Sequence, residues 1–232
     1  MRIFGIIVAG GSGKRMGGNI PKQYMDVNGK PLLYYTLKAF EESDVTDVSV
    51  VVSKEYLQYV LTDIIDKYNF KKVIRLCEGG EERFDSSFHA LDDLNDVAAV
   101  DDLVLIHDGA RPFVTPDFIN KMIRSVKENG AAVAGMPVKD TIKIADEDGF
   151  ISETTQRERT WQIQTPQGFR YGEIFEAYKT FSLNRMRKNA TDDSMVYEAV
   201  FPEKKIRLVE ASYENIKITT PDDFDIAKTK LK

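Results

Sequence analysis

The chain has 232 residues, 42% of them hydrophobic and 30% charged, with a formal net charge of −5. That length and apolar content suffice for a well-buried core, and the acidic balance leaves no basic surplus to displace counterions from nucleic acid. A single cysteine and two histidines exclude an internal disulfide and a Cys- or His-based zinc site, and no apolar run reaches membrane-spanning length, so a soluble, cytoplasmic protein is expected.

The opening "RIFGIIVA" reads as a fully buried strand, too short and too soon broken by glycine for a signal peptide. "PLLYYTLKAFEE" has helical spacing and "DVSVVVS" is a second buried strand. "KEYLQYVLTDIIDKYN" places Leu57, Val60, Leu61, Ile64 and Ile65 on one helical face. "KKVIRLC" is a third strand, with Cys77 expected as a small buried apolar residue. Residues 81–94 form a helix with Phe84, Phe88, Leu91 and Leu94 inward. "DLVLIHD" is a fourth strand. "TPDFINKMIRSVKENG" opens on a Thr cap with Pro in the first turn and closes at Gly130, and "AAVAGMPV" is a fifth strand. Val/Ile-rich strands separated by helices predict an α/β fold, a mostly parallel twisted sheet with helices on both faces. Ligands of such sheets sit outside the carboxyl ends of the strands.

The alternation breaks after Pro137. "VKDTIKIADEDGFISETTQRERTWQIQ" reads as two short strands around an "EDG" turn, a projecting β-arm at about 138–162. Helical rhythm resumes at Tyr171, two strands ("KIRLVEA" and "ENIKIT") follow, and "TPDDFDIAKTKL" is a capped last helix. No repeat or linker divides the chain, so residues 1–232 are expected as one domain carrying an arm.

The segment "IIVAGGSGKRMGGNIPKQY" sets bare backbone beside positive charge. A glycine-rich turn after a buried strand lets backbone N–H groups approach a ligand closely. The Walker pattern fails because Val8 and Arg15 occupy its defining places, and G-x-G-x-x-G fails at Met16. Arg15 and Lys22 are suited to meet a polyphosphate, though an ordinary strand-to-helix turn with solvated cations accounts for them equally. Asp108, at the end of a parallel strand, suits a hard divalent ion bridging phosphates, or else caps a turn. His107 alternates to the other side of that strand and reads as structural. Arg83 has Glu81 and Asp85 as local partners, Thr191 reads as an N-cap, and Lys217 as a strand residue facing solvent.

Further along, "EGGEERFDSS", "HDGARPF", "VKDTIK", "WQIQTPQGF", "TDDSMVYE" and "NIKITTPDDF" follow the glycine loop in order. Together these motifs resemble the cytidylyltransferase family that makes 4-diphosphocytidyl-2-C-methylerythritol in the non-mevalonate isoprenoid pathway, and the resemblance covers nearly the whole chain. It implies a Rossmann-like nucleotidyltransferase fold and transfer of a cytidylyl group from CTP to 2-C-methyl-D-erythritol 4-phosphate, with release of pyrophosphate. It implies that Arg15, Lys22 and Lys217 grip the phosphates, and that Asp108 holds Mg²⁺ with CTP. Ala9, Gly10, Gly11, Gly13, Gly80, Arg83, Ser86 and Gly109 would line the nucleotide site, Gly109 through close approach to the ribose. Thr141, Arg157, Thr165 and Thr191 would take the polyol phosphate, with Lys139 and Lys143 adding to the field. It also implies a homodimer in which embracing arms carry Arg157 and Thr141 to the partner's site. Ribitol-5-phosphate cytidylyltransferase is the close alternative: its loop usually reads "AGG", as here, whereas "VKDTIK", the Arg157-to-Trp161 spacing and "TDDS" favour the methylerythritol enzyme. A CTP-binding regulatory module without turnover is the non-enzyme alternative.

Overall fold

The computed structural model describes residues 1–11, 20–183 and 190–231. The first apolar run is β1 (Ile3–Val8), buried along most of its length because both faces of the sheet are covered. A short ribbon of β2 (Asp26–Val27) and β3 (Lys30–Pro31) precedes α1 (Leu32–Glu41) and β4 (Asp47–Val52). Next come a helical turn, α2 (Leu57–Tyr59), and a π-helix over Val60–Asp66. β5 (Val73–Glu78), α3 (Arg83–Asp93) and β6 (Leu103–Asp108) follow. α4 (Pro116–Asn129) begins at Thr115, whose hydroxyl accepts from the Phe118 N–H, and ends at Gly130, whose φ of 82° only glycine adopts freely. β7 (Ala131–Pro137) leads to the hairpin of β8 (Lys143–Ala145) and β9 (Ile151–Thr154). β10 (Trp161–Arg170), α5 (Tyr171–Leu183), α6 (Asp193–Val200), β11 (Arg207–Glu210) and α7 (Pro221–Lys230) complete the chain.

Seven strands form one sheet in the order β11-β7-β10-β6-β1-β4-β5. β1 pairs parallel with β4 and β6, β4 with β5, and β11 with β7, while β10 runs antiparallel between β6 and β7. Alternate residues of β1 feed opposite cores: Ile3 and Ile7 join Leu37, Phe40, Ile64 and Met122, whereas Phe4 and Ile6 join Phe84, Leu91, Phe169 and Tyr178. A third cluster packs Val27, Leu32 and Tyr35 against Ile218 and Phe224 of the C-terminal segment. Among the described residues no helix is long and apolar enough to cross a membrane.

Four expectations are corrected. The run "WQIQTPQGFR" is a central strand, so the arm ends where β10 begins, at Trp161. A proline is ordinarily excluded from such a position, and here a register irregularity between Ile163 and Gln167 admits Pro166. "ENIKIT" is not a strand: its alternation reflects burial of Ile218 in the third cluster, and its backbone reaches the turn after β6 through Ile218 N–H to Ala110 C=O at 2.8 Å. Leu61 is 41% exposed, because the wider turn of the π-helix keeps Val60, Ile64 and Ile65 inward and rotates Leu61 out. Cys77 is half-buried on the edge strand β5, where burial pushes its thiol up to about 11.

Candidate active site

The parallel register sets the strand ends level. Val8 pairs with both Val51 and Asp108, and Val52 pairs with Glu78. The chain therefore leaves the sheet together at Ala9, Gly79 and Gly109, fixed by bonds from Ala9 N to Val51 O (2.7 Å), Gly79 N to Val52 O (2.8 Å) and Gly109 N to Val8 O (2.9 Å). Gln23, fully buried, straps the start of the glycine loop: its amide donates to the carbonyls of Ala9 (2.6 Å) and Gly11 (2.8 Å). Ser86 accepts from the Gly80 N–H at 3.2 Å, and its hydroxyl is 3.6 Å from where a Cβ on Gly10 would stand. Ala9, Gly10, Gly79, Gly80 and Ser86 thus form one wall.

The glycines there differ in what requires them. A Cβ on Gly80 would lie 2.2 Å from Asp85 Cβ, whereas one on Gly10 makes ordinary contacts. Gly80→Ala is expected to cost about 1–3 kcal/mol, and Gly10→Ala less than about 0.5 kcal/mol, measured by urea unfolding. For Gly109 the close neighbours are protein atoms, Ala9 Cβ at 3.0 Å and Leu33 Cδ1 at 3.2 Å from an added Cβ, so packing of the strand ends already accounts for a glycine without a ribose.

Beside this wall stands an electrostatic cluster. Asp108 is buried, and Arg83 Nε reaches its Oδ1 at 3.1 Å while Lys217 Nζ (2.9 Å) and Arg111 Nε (3.5 Å) reach Oδ2. Burial alone would raise this carboxyl, but Arg83, Lys217 and Arg111 overcome it and hold it far below the usual carboxylate range. Arg83 is itself forked by Asp193, a partner distant in sequence, through Nη1–Oδ1 at 3.0 Å and Nη2–Oδ2 at 2.6 Å.

His107 lies behind this cluster, as its strand alternation implied. Its Nε2 donates to the Arg111 carbonyl (3.2 Å), which leaves Nδ1 to accept from the Thr165 hydroxyl (3.0 Å). The same hydroxyl accepts from the Asp108 N–H at 3.1 Å, so Thr165 clamps the end of β6. Burial pushes His107 down to about 4. Because the folded value lies below that of the unfolded chain, about 6.5, this residue's contribution is full above pH 6.5 and is lost as pH falls towards 4. We expect unfolding free energy to fall by about 3 kcal/mol across that window. Urea titrations at stepped pH check this, and the part of the slope due to His107 should be missing in His107→Gln.

Asn215, buried beside Thr165, was not anticipated. Its side-chain amide donates to Gln164 Oε1 (2.9 Å) and Thr165 C=O (3.0 Å), while its backbone carbonyl accepts from Arg111 Nη1 (2.7 Å). These bonds hold the Lys217 segment against the end of β6. Asp193 was also missed, hidden in the "TDD" triplet; its complete burial carries no sequence signal beyond that motif. The N-cap of α6 is Asp192, accepting from Met195 N–H, and Thr191 is exposed beside it. Asp192 takes the capping place because its carboxylate adds charge favourable to the helix dipole.

Of the expected residues, Ala9, Gly10, Gly80, Arg83, Ser86, Asp108, Gly109, Thr165 and Lys217 gather at these strand ends. Gly11 adjoins through Gln23, and Lys22 is the neighbour of Gln23 in the same short 3-10 turn. Gly13 and Arg15 lie outside the described residues. Thr141 and Arg157 are exposed on the arm, and nothing among the described residues joins them to the Asp108 cluster. Lys139 lies over the Tyr213 ring and Lys143 bonds Thr154.

A mostly parallel sheet that opens its carboxyl edge on a glycine turn and a cation-ringed aspartate has the architecture of a nucleotidyltransferase, and the comparisons with known proteins narrow it. The family model described as 2-C-methyl-D-erythritol 4-phosphate cytidylyltransferase matches residues 3–232. The protein of that name from Lachnospira eligens is 47% identical over 98% of this chain and 98% of its own. One from Clostridium botulinum is 45% identical over 98% of this chain and 96% of its own. The crystal structure of 4-diphosphocytidyl-2C-methyl-D-erythritol synthase from Anaerococcus prevotii superposes with a TM-score of 0.85 at 32% identity, covering 98% of this chain and 95% of its own. The chain belongs to the 2-C-methyl-D-erythritol 4-phosphate cytidylyltransferase family.

Proposed function

We propose that the chain transfers the cytidylyl group of CTP to 2-C-methyl-D-erythritol 4-phosphate at the carboxyl edge of β1, β5 and β6. The observation that carries this reading is the clasp of Asp108 by Lys217, Arg83 and Arg111 beside the glycine wall. An oxygen of the acceptor's phosphate attacks the α-phosphorus of CTP; the bond from that phosphorus to the bridging oxygen breaks, and pyrophosphate leaves with the electron pair. The acceptor is already an anion, so no strong base is needed. The obstacle is charge, and cations aimed at the phosphoryl oxygens lower it.

Lys217, Lys22 and Arg15 are assigned to the triphosphate. Gly80, Ser86 and the backbone of Ala9, Gly10, Gly11 and Gly13 read the cytosine, with Arg83 and Gly109 alongside. Thr165, Thr191, Thr141 and Arg157 are assigned to the polyol phosphate, the last two from a partner's arm in a homodimer. The exposed Ile144, Phe150 and Ile151 of the hairpin support such pairing, since a lone two-stranded ribbon is only marginally stable. Asp108 offers a single carboxylate, which suits Mg²⁺, an ion usually held by one or two carboxylates, waters and substrate phosphates. When bound, the ion supplies charge neutralisation of the phosphates. We further propose that the chain works as a single nucleotidyltransferase domain with its arm, in the cytoplasm, which supplies CTP.

A side-by-side acceptor assay tests this reading. Pyrophosphate release should need CTP, a divalent cation and the branched polyol phosphate. A far better rate with ribitol 5-phosphate would assign the other acceptor, and tight CTP binding with no release from any polyol phosphate would mean a binding module. Arg157→Ala should raise the acceptor KM by about tenfold or more with CTP binding little changed. Mixing the Arg157→Ala and Lys22→Ala proteins should restore activity if sites are shared; no rescue in confirmed heterodimers would contradict sharing.

A further inference from the structure

We infer that Asp193 is a positioning residue for CTP, acting through Arg83. The inference rests on the reading that Arg83 and Asp108 belong to the CTP site. Asp193 is fully buried at the start of α6, and its carboxylate accepts from Arg83 Nη1 and Nη2, from Ser87 Oγ at 3.2 Å and from Tyr178 OH at 2.6 Å. Three helices therefore converge on it: α3 supplies Arg83 and Ser87, α5 supplies Tyr178, and α6 supplies the carboxylate.

A guanidinium is planar, so fixing its Nη edge in a fork also fixes the direction of its Nε–H. That remaining donor meets Asp108 Oδ1 at 3.1 Å. Arg83 is thereby limited to one contact with Asp108, and Oδ2 stays with Lys217 and Arg111. Without the Asp193 fork, the guanidinium would turn its bidentate edge to Asp108 and displace Lys217 from it. Asp193 thus sets how much of the Asp108 charge is neutralised by Arg83 and where Lys217 stands. A tie that merely held three helices together would, when cut, lower the melting temperature and leave the CTP affinity of the folded protein unchanged.

The test is a double-mutant cycle on the full chain, with Asp193→Asn, Arg83→Ala and the pair. CTP affinity is measured by calorimetry without acceptor, alongside kcat, acceptor KM and the melting temperature. Asn keeps the shape but turns an amide N–H₂ towards a guanidinium N–H. Asp193→Asn should weaken CTP by about tenfold or more with the acceptor KM within about threefold, and the double variant should bind CTP no more weakly than Arg83→Ala alone. Should Asp193→Asn fail to fold, Tyr178→Phe removes one supporting bond and should weaken CTP by about threefold, again only where Arg83 is present. Wild-type CTP affinity in a folded variant, or losses that multiply with Arg83→Ala, overturns the inference. Wild-type protein that binds CTP but releases no pyrophosphate from any polyol phosphate overturns the functional reading alone.

Discussion

Asp108→Asn is expected to cut turnover by about a hundredfold or more and to weaken the fold. The substitution keeps size and one acceptor but removes the anion around which Arg83, Arg111 and Lys217 are arranged. Arg111 suffers most, its side chain being 12% exposed with Asp108 its one carboxylate partner among the described residues. Removing one member of a buried ion pair costs about 3–5 kcal/mol. Arg83 keeps Asp193 and Lys217 keeps contact with water, so about 2–3 kcal/mol is expected here. The loss of turnover has a separate cause: the cations would then sit on each other's repulsion instead of facing phosphate. Steady-state kinetics with urea unfolding of the same samples separates the two. Normal kcat in a folded Asp108→Asn protein would remove this residue from the site. The sign with pH is distinct from that of His107. Because the folded Asp108 carboxyl lies below its ordinary value, its stabilisation is full above about pH 3.9 and fades only below it, so wild type and variant should converge in strong acid.

Lys217→Ala is expected to lower kcat by about a hundredfold, some 3 kcal/mol of lost electrostatic stabilisation, with stability changed by less than about 1 kcal/mol. Its side chain is 36% exposed, and its ammonium meets Asp108 Oδ2 at 2.9 Å. That combination, anchored on one side and open on the other, suits a group that turns to a phosphate. Melting temperature should stay close to wild type. An unchanged kcat would make Lys217 a simple counter-ion of Asp108.

The sheet was legible because parallel strands buried on both faces read as unbroken Val/Ile runs, as in "FGIIVA" and "LVLIHD". The helix ends at Thr115, Gly130 and Thr220 were legible from capping chemistry. β10 was hidden because Pro166 and Gly168 mimic loop composition, and Gly168 is there for packing: a Cβ would stand 2.5 Å from Val126 Cγ2. The "ENIKIT" segment misled because Ile–Lys–Ile alternation arises whenever one side of an extended chain is buried, paired or not. Within the site, Lys217, Asp108 and Ser86 could be named from motifs, but Gln23, Asn215 and Asp193 act through bonds to backbone or to another side chain distant in sequence. Such partners, 110 residues apart for Arg83 and Asp193, leave no local pattern to read.

The most direct measurement is a crystal structure of the protein with CTP and Mg²⁺. The account predicts the cytosine against Gly80 and Ser86 and the triphosphate beside Lys217 at the end of β6. Nucleotide bound away from the Asp108 cluster, with Lys217 still paired to Asp108 and no phosphate near it, would contradict it.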